Sequence, residues 1–228
     1  MVTENKQLVS NILNLSVKVY SDLRLKLIIG DLAPGETLSI RTLAEEYDHS
    51  SMPVREALRQ LSSEGALVGE AKKAYRVPDL SPNEAAKLFY VRAALEGASA
   101  EIAAKTVENS DIKHLRLLSS KMDGAWETND AGKFLENNFL FHSYIYAMAK
   151  NSVLEKMAEN LYVRTGPWLA HGIKNLSGST AWEKSHDGII DALAKRNSSL
   201  ARQLIEEDSS WGKQLYQEEA YFCDEFSI

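Results

Sequence analysis

Apolar positions recur at helical spacing over most of the chain. Over 15–29 they fall at Val19, Leu23, Leu27 and Ile28, the signature of a helix with one buried face. Gly30 stops this helix and Pro34-Gly35 marks a turn. The stretch 39–47 predicts a short helix burying Ile40, Leu43, Ala44 and Tyr47, and Asp48-His49-Ser50 predicts a tight connection. A third helix opens near Ser51, with a serine at its cap and Pro53 in its first turn, where the missing N–H has no helical partner to lose. Its core stripe is Val54, Leu58 and Leu61, and Gly65 ends it. The pattern then changes. Ala66-Leu67-Val68 and Tyr75-Arg76-Val77 are short strand candidates around polar residues 70–73, a small hairpin.

Pro78 and Ser81-Pro82 mark a domain boundary, and beyond it the spacing is helical throughout. Helices are predicted over 82–106, 110–127, 130–149, 152–173, 180–195 and 198–218, with caps at Ser81, Ser110, Ser152 and Asn197. Pro167 is expected to kink or break its helix. The chain therefore reads as mainly α: an N-terminal arm or disordered segment at 1–14, a winged helix-turn-helix at 15–78, an all-α bundle of about six helices at 82–218, and a tail at 219–228.

Composition narrows the class. The 228 residues are 44% apolar and 25% charged, as in an ordinary globular protein. The one cysteine, Cys223, excludes an internal disulfide and any Cys-only metal cluster, and fits a reducing cytoplasm. No apolar run approaches the roughly 20 residues of a membrane span. The N-terminal stretch lacks the basic start and apolar block of a signal peptide, so a cytoplasmic protein without membrane attachment is expected. With 26 basic and 32 acidic residues the net charge is −6, so nucleic-acid binding must rest on a local site.

Such a site is visible. In a helix-turn-helix the second helix enters the major groove of double-stranded DNA and brings its first turns to the base edges. Ser50 and Ser51 stand at the head of that helix. Arg55 and Arg59 follow on one face, away from Leu58 and Leu61. Arg41 opens the preceding helix, and Lys72, Lys73 and Arg76 lie in the proposed wing. Residues 1–80 nevertheless hold ten basic and eleven acidic side chains. Periodicity alone leaves Arg55 and Arg59 equally readable as a solvated face paired with Glu56 and Glu45.

In the helical part, four apolar stripes each carry a polar intruder. They read Leu88, Arg92, Leu95, Ser99, Ile102; then Phe134, Asn138, Phe141, His142, Ile145; then Trp182, His186, Ile189, Ile190, Leu193; then Leu200, Leu204, Asp208, Trp211, Leu215. Groups buried without partners cost several kcal/mol, so these are expected to meet one another, a metal or a ligand. Asn138 and His142, one turn apart, can reach one ion, with His186 and Asp208 completing the shell. Arg92 is the natural clamp for a carboxylate. The competing reading is a set of core polar groups, each satisfied singly, and the residues weigh the two about equally. His49, His114 and His171 lack the pattern and read as turn or surface residues. Trp126, Trp168, Trp182 and Trp211 read as core or pocket wall.

The residue identities add a resemblance. The stretch from Ile29 through Pro34-Gly35 to Leu38, then Leu43-Ala44-Glu45, then Pro53-Val54-Arg55-Glu56-Ala57-Leu58-Arg59-Gln60-Leu61, resembles the GntR family of bacterial transcription regulators over residues 15–80. The resemblance implies that Arg55 is a DNA-contacting arginine and Arg41 a contact from the helix before it. Two positions depart from the family: Ser51 stands where a base-reading arginine is usual, and Ala74 where a wing glycine is usual. An Arg–guanine contact is worth roughly 1–3 kcal/mol of discrimination, so Ser51 implies weaker binding or a different operator.

Residues 82–218 resemble the FCD ligand-binding domain of the FadR-type branch, through Val91-Arg92-Ala93-Ala94-Leu95-Glu96, Asn138 to Phe141-His142, and Ser185-His186 with Ile189 and Ala192. Six helices resemble the shorter, VanR-like subgroup. The resemblance implies a divalent metal (Zn, Mn or Ni) on Asn138, His142 and His186, with Asp208 departing from the family's last histidine, and a small carboxylate bound against it. Its functional implication is a ligand-responsive regulator acting as a homodimer on a pseudo-palindromic operator, typically a repressor relieved by its ligand. Two rivals remain open on the residues: a sensing module that has lost specific DNA binding, motivated by Ser51, Ala74 and the acidic balance, and a metal-dependent hydrolase using Asp208 and His186. Against the hydrolase, no H-E-x-x-H, G-x-S-x-G or phosphate-binding glycine loop is present.

Overall fold

The computed structural model describes residues 2–69, 74–176 and 185–210. The chain divides into two compact units, residues 1–27 with 31–79, and residues 28–30 with 80–228.

Helix α1 runs Val2–Ile29, so helix begins at Val2 where the sequence pattern marks a start at Leu15. Val19, Leu23, Leu27 and Ile28 are buried, as their spacing requires. Gly30 adopts φ 72°, which lets the Asp31 and Leu32 amides turn back to the Lys26 carbonyl at 2.9 and 3.3 Å and close the helix. A short strand β1 (Thr37–Ser39) leads into α2 (Ile40–Glu46), whose first turn is capped by Ser39 Oγ accepting from the Thr42 amide. Asp48 at φ 52° makes the turn into α3 (Ser51–Ser63). Leu43, Ala44, Val54, Ala57, Leu58 and Leu61 bury the facing sides of the pair.

The sheet differs from the expected hairpin. Strand β2 (Ala74–Arg76) pairs antiparallel with β1, Leu38 opposite Tyr75, and the 66–68 segment adds only the bridge between Val68 and Arg76. A three-residue strand with one buried apolar side chain, Leu38, carries no alternation to read, so β1 is invisible in the pattern. At Gly69 (φ 154°) a Cβ would stand 2.8 Å from the Ala74 carbonyl oxygen, and this close approach of backbones excludes any side chain.

The second unit holds α4 (Pro82–Thr106), α5 (Asn109–Glu127), α6 (Ala131–Met148), α7 (Ser152–Leu176), α8 (Ser185–Ala194) and a last helix, α9, at 198–210. Ser81 and Glu84 form a reciprocal capping box at the start of α4. Asn151 caps α7 and Asn197 caps α9 by accepting from backbone amides at 3.1–3.2 Å. Pro167 lies inside α7, which continues through it to Leu176, so of the kink or break expected there the helix is not broken. Helix α4 packs on α6, α7 and α8, and α5 packs on α6 and α8.

Two of the four stripes are rotated from their predicted setting. On α4 the buried line is Ala85, Phe89, Arg92, Glu96, Ser99, Ala100 and Ala103, while Leu88, Leu95 and Ile102 are only half-buried. Alanines, a glycine and a serine face the interior there because small side chains let neighbouring helices approach: a Cβ on Gly97 would lie 2.6 Å from Glu206 Oε1. On α9, Ala201 and Ile205 are buried and Leu200 is exposed. The α6 stripe and the described part of the α8 stripe are buried as read. Trp182, Trp211 and Leu215 lie outside the described residues.

Candidate functional site

Helix α3 turns Pro53, Val54, Ala57, Leu58 and Leu61 inward, which leaves Ser51, Met52, Arg55 and Arg59 exposed on its other side. Ser50 is the N-cap and is exposed. Arg41 on α2, with Ser51 and Arg55 on α3, lines a concave surface together with Ile40, Ala44, Glu45, Asp48 and His49. The structure thus brings together the arginines of two helices, as the sequence suggests. It also shows where their charge goes: Arg41 Nε pairs with Glu45 at 2.9 Å and Arg59 Nη2 with Glu56 at 2.7 Å, both in solvent. Exposed pairs of this kind contribute about 0.2–1 kcal/mol and exchange readily for other anions. Lys72 and Lys73 lie outside the described residues.

The second unit encloses a polar centre. His142 (α6), His186 (α8) and Asp208 (α9) each present a ligand atom, all within 4.8 Å of one another. His142 Nε2 is 3.2 Å from Asp208 Oδ2, and His186 Nε2 is 4.0 Å from Asp208 Oδ1. His142 is fully buried, and among the described residues neither ring nitrogen makes a well-aligned hydrogen bond. Such orphaned groups cost about 1–3 kcal/mol each, and an ion is one way to satisfy them. Ligands about 2.0–2.2 Å from a tetrahedral metal stand about 3.3–3.6 Å apart, which the observed separations approach, so the three residues fit a divalent cation. Asn138 stands beside the three. Its Oδ1 accepts from the Tyr162 hydroxyl and its Nδ2 lies 3.2 Å from His186 Nε2. Burial, helped by His142 and opposed by Asp208, pulls the His186 pKa down to about 4, so the ring is neutral and able to ligate.

Beside this cluster, Arg92 is held from several sides. Its Nε donates to Glu96 Oε1 at 2.8 Å, Nη1 to Thr165 Oγ1 at 3.2 Å, and Cζ lies 3.9 Å above the centre of the Tyr162 ring. Glu96 also accepts from the hydroxyls of Tyr146 and Ser209, and stands 4.0 Å from His142 Nδ1. Burial pushes the Glu96 carboxyl up, but the Arg92 charge, the nearby His142 and these hydroxyls together hold it below the usual carboxylate range. Sequence reading missed Glu96, Tyr146, Tyr162, Thr165 and Ser209. For Glu96 a signal existed, its position one turn after Arg92; the tyrosines and hydroxyls carried none. Trp126 stacks edge-on against Phe134 and Trp168 packs on Ala85 and Phe89, which makes both wall residues. His49, His114 and His171 are exposed.

A helix-turn-helix with a small sheet, joined in one chain to a helical unit with a buried polar centre, is the build of a DNA-binding regulator with a sensory domain. The chain belongs to the GntR family: the model for bacterial regulatory proteins of the gntR family matches residues 15–77, and the FCD domain model matches residues 87–208. The HTH-type transcriptional regulator McbR of Escherichia coli K12 is 34% identical over 196 residues, 85% of this chain and 89% of the relative. The gluconate operon transcriptional repressor of Bacillus subtilis is 31% identical over 145 residues, 64% of this chain and 59% of the repressor. The solved structure of E. coli McbR/YncC superposes with a TM-score of 0.80 at 29% identity, covering 90% of this chain and 98% of that one. These relatives are regulators, not enzymes, which sets aside the hydrolase reading of Asp208 and His186. Among the described residues no helix is long and apolar enough to cross a membrane.

Proposed function

We propose that this DNA-binding regulator acts in the cytoplasm as a homodimer on a pseudo-palindromic operator, and that a small carboxylate bound in its helical unit controls its hold on DNA. The carrying observation is the outward face of α3, where Ser51, Arg55 and Arg59 stand clear of the core in the helix that a helix-turn-helix inserts into the major groove. Two such heads related by a two-fold axis read a two-fold site. We take the sign to be repression, the activity named for the B. subtilis relative. Arg41, Ser50, Ser51, Arg55 and Arg59, with Lys72 and Lys73 from the wing, form the DNA contact set.

In the helical unit, His142, His186 and Asp208 would hold the divalent ion, Zn, Mn or Ni, with Asn138 turning its amide to join them. When bound, that ion supplies a Lewis-acid anchor for a carboxylate. Tyr162, whose hydroxyl donates to Asn138 Oδ1, orients that amide towards the ion. Arg92, whose Nε donates to Glu96 and Nη1 to Thr165, is the cation we assign to the acid. Binding there shifts the populations of the states that do and do not fit DNA.

The test is selection of duplexes from a random pool by the full-length protein. Enrichment of a two-fold repeated sequence supports the reading. Failure to enrich any duplex would leave a sensing module without specific DNA contacts.

A further inference from the structure

Among the large apolar side chains of the first unit, Met52 stands out by its place. It sits in the first turn of α3, is 58% exposed, and is flanked by Ser51 and followed one turn later by Arg55 and Glu56. The helix has no packing use for it, because Pro53, Val54, Ala57, Leu58 and Leu61 already fill the buried side. Met52, Arg55, Glu56 and Arg59 follow the i, i+3, i+4, i+7 spacing of a single outward stripe. That stripe mixes one apolar group with charged ones, as a surface that reads base edges does. In the major groove the only apolar feature is the C5-methyl group of thymine.

We propose that Met52 is a specificity-determining residue that packs its thioether on a thymine methyl group, one in each half of the operator. The inference rests on the proposed DNA-binding face and adds to it the base that face selects. Ser51, beside Met52, is too short to reach a guanine in the way an arginine would. An unbranched, polarizable side chain at the adjacent position supplies the reach and adapts to the methyl it meets. The contact needs no charge, so it adds sequence preference without adding phosphate affinity.

The experiment uses the full-length protein and the best duplex from the random-pool selection, made from unmodified synthetic strands so that thymine is the sole source of the methyl group. Each thymine is replaced in turn by deoxyuridine, which removes that methyl and nothing else. Wild-type protein should lose about fourfold in affinity at one position per half-site, the factor that one buried methyl-sized group supplies. Met52→Leu should keep most of the discrimination, whereas Met52→Ala should bind the thymine and deoxyuridine duplexes equally, with an unchanged salt dependence. Met52→Gln should shift the preference at that position towards adenine, which glutamine reads at N6 and N7. A deoxyuridine penalty that persists in Met52→Ala, or its absence at every thymine in the wild type, overturns the assignment while leaving DNA binding intact. If the wild type enriches no duplex, the DNA-binding reading falls and this inference falls with it.

Discussion

Arg92 and Glu96 stand one turn apart on α4 and form an ion pair of 2.8 Å with side chains 3% and 0% exposed. Neither charge reaches solvent, so each depends on the other and on the ring of hydroxyls from Thr165, Tyr146 and Ser209. A buried pair of this kind is costly to break from one side, because the survivor is left as a lone buried charge. Arg92→Ala should therefore destabilise the protein by about 3–5 kcal/mol in urea melts. Replacing both partners with apolar residues, Arg92→Met with Glu96→Leu, should recover most of that loss. Equal destabilisation by the single and double variants would show that a stranded buried charge is not the source of the loss.

The His142, His186 and Asp208 cluster predicts metal uptake. Metal analysis of purified protein, or titration after chelation, should find one divalent ion per chain. His142→Ala and His186→Ala should each abolish it. Both rings also pack on Phe141, at centroid distances of 5.6 and 4.6 Å, so circular dichroism should accompany the metal analysis and show the helical fold retained. No uptake on titration would leave the cluster a purely structural polar centre.

The depressed His186 pKa makes metal-free protein sensitive to acid. Its folded-state value is about 4 against an ordinary 6.5, so below pH 6.5 the unfolded chain binds more protons than the folded one. Stability should thus be fully present above pH 6.5 and fall as the pH drops towards 4, by up to about 3 kcal/mol from this group. In chelated protein the melting temperature should decline across that window, and His186→Gln should flatten the decline. A flat wild-type profile would contradict the assignment of a neutral buried ring.

The ion pairs on the DNA-facing helices predict a further effect. Glu45 and Glu56 hold Arg41 and Arg59 in solvent. Glu45→Gln with Glu56→Gln should raise affinity for random duplex and steepen its salt dependence, by about 0.9 in log–log slope for each added phosphate contact. An unchanged slope would mean that releasing these arginines adds no phosphate contact.

Much of the fold is legible from spacing because its buried stripes are made of large aliphatics: Val19, Leu23 and Leu27 on α1, and Phe134, Phe141 and Ile145 on α6, declare their faces. Helix α4 is harder to read. Its interior face is built from Ala85, Gly97, Ala100 and Ala103, whose small side chains give little hydropathy contrast, so the half-buried Leu88, Leu95 and Ile102 draw the stripe to the wrong side. That rotation hides Glu96 and with it the internal partner of Arg92. Strand β1 is too short to show a period. The metal-ligand candidates were legible because three polar residues interrupt otherwise apolar runs; the hydroxyls that serve Arg92 and Glu96 come from positions fixed only by tertiary packing.

The central claim, that α3 reads DNA through its outward arginine face, is tested most directly by anisotropy titration of the selected duplex with wild-type and Arg55→Ala protein at one salt concentration. A lost base contact of about 1–3 kcal/mol predicts an affinity roughly five- to 150-fold weaker for the variant, with an unchanged melting temperature. Equal affinities at equal stability would contradict the account.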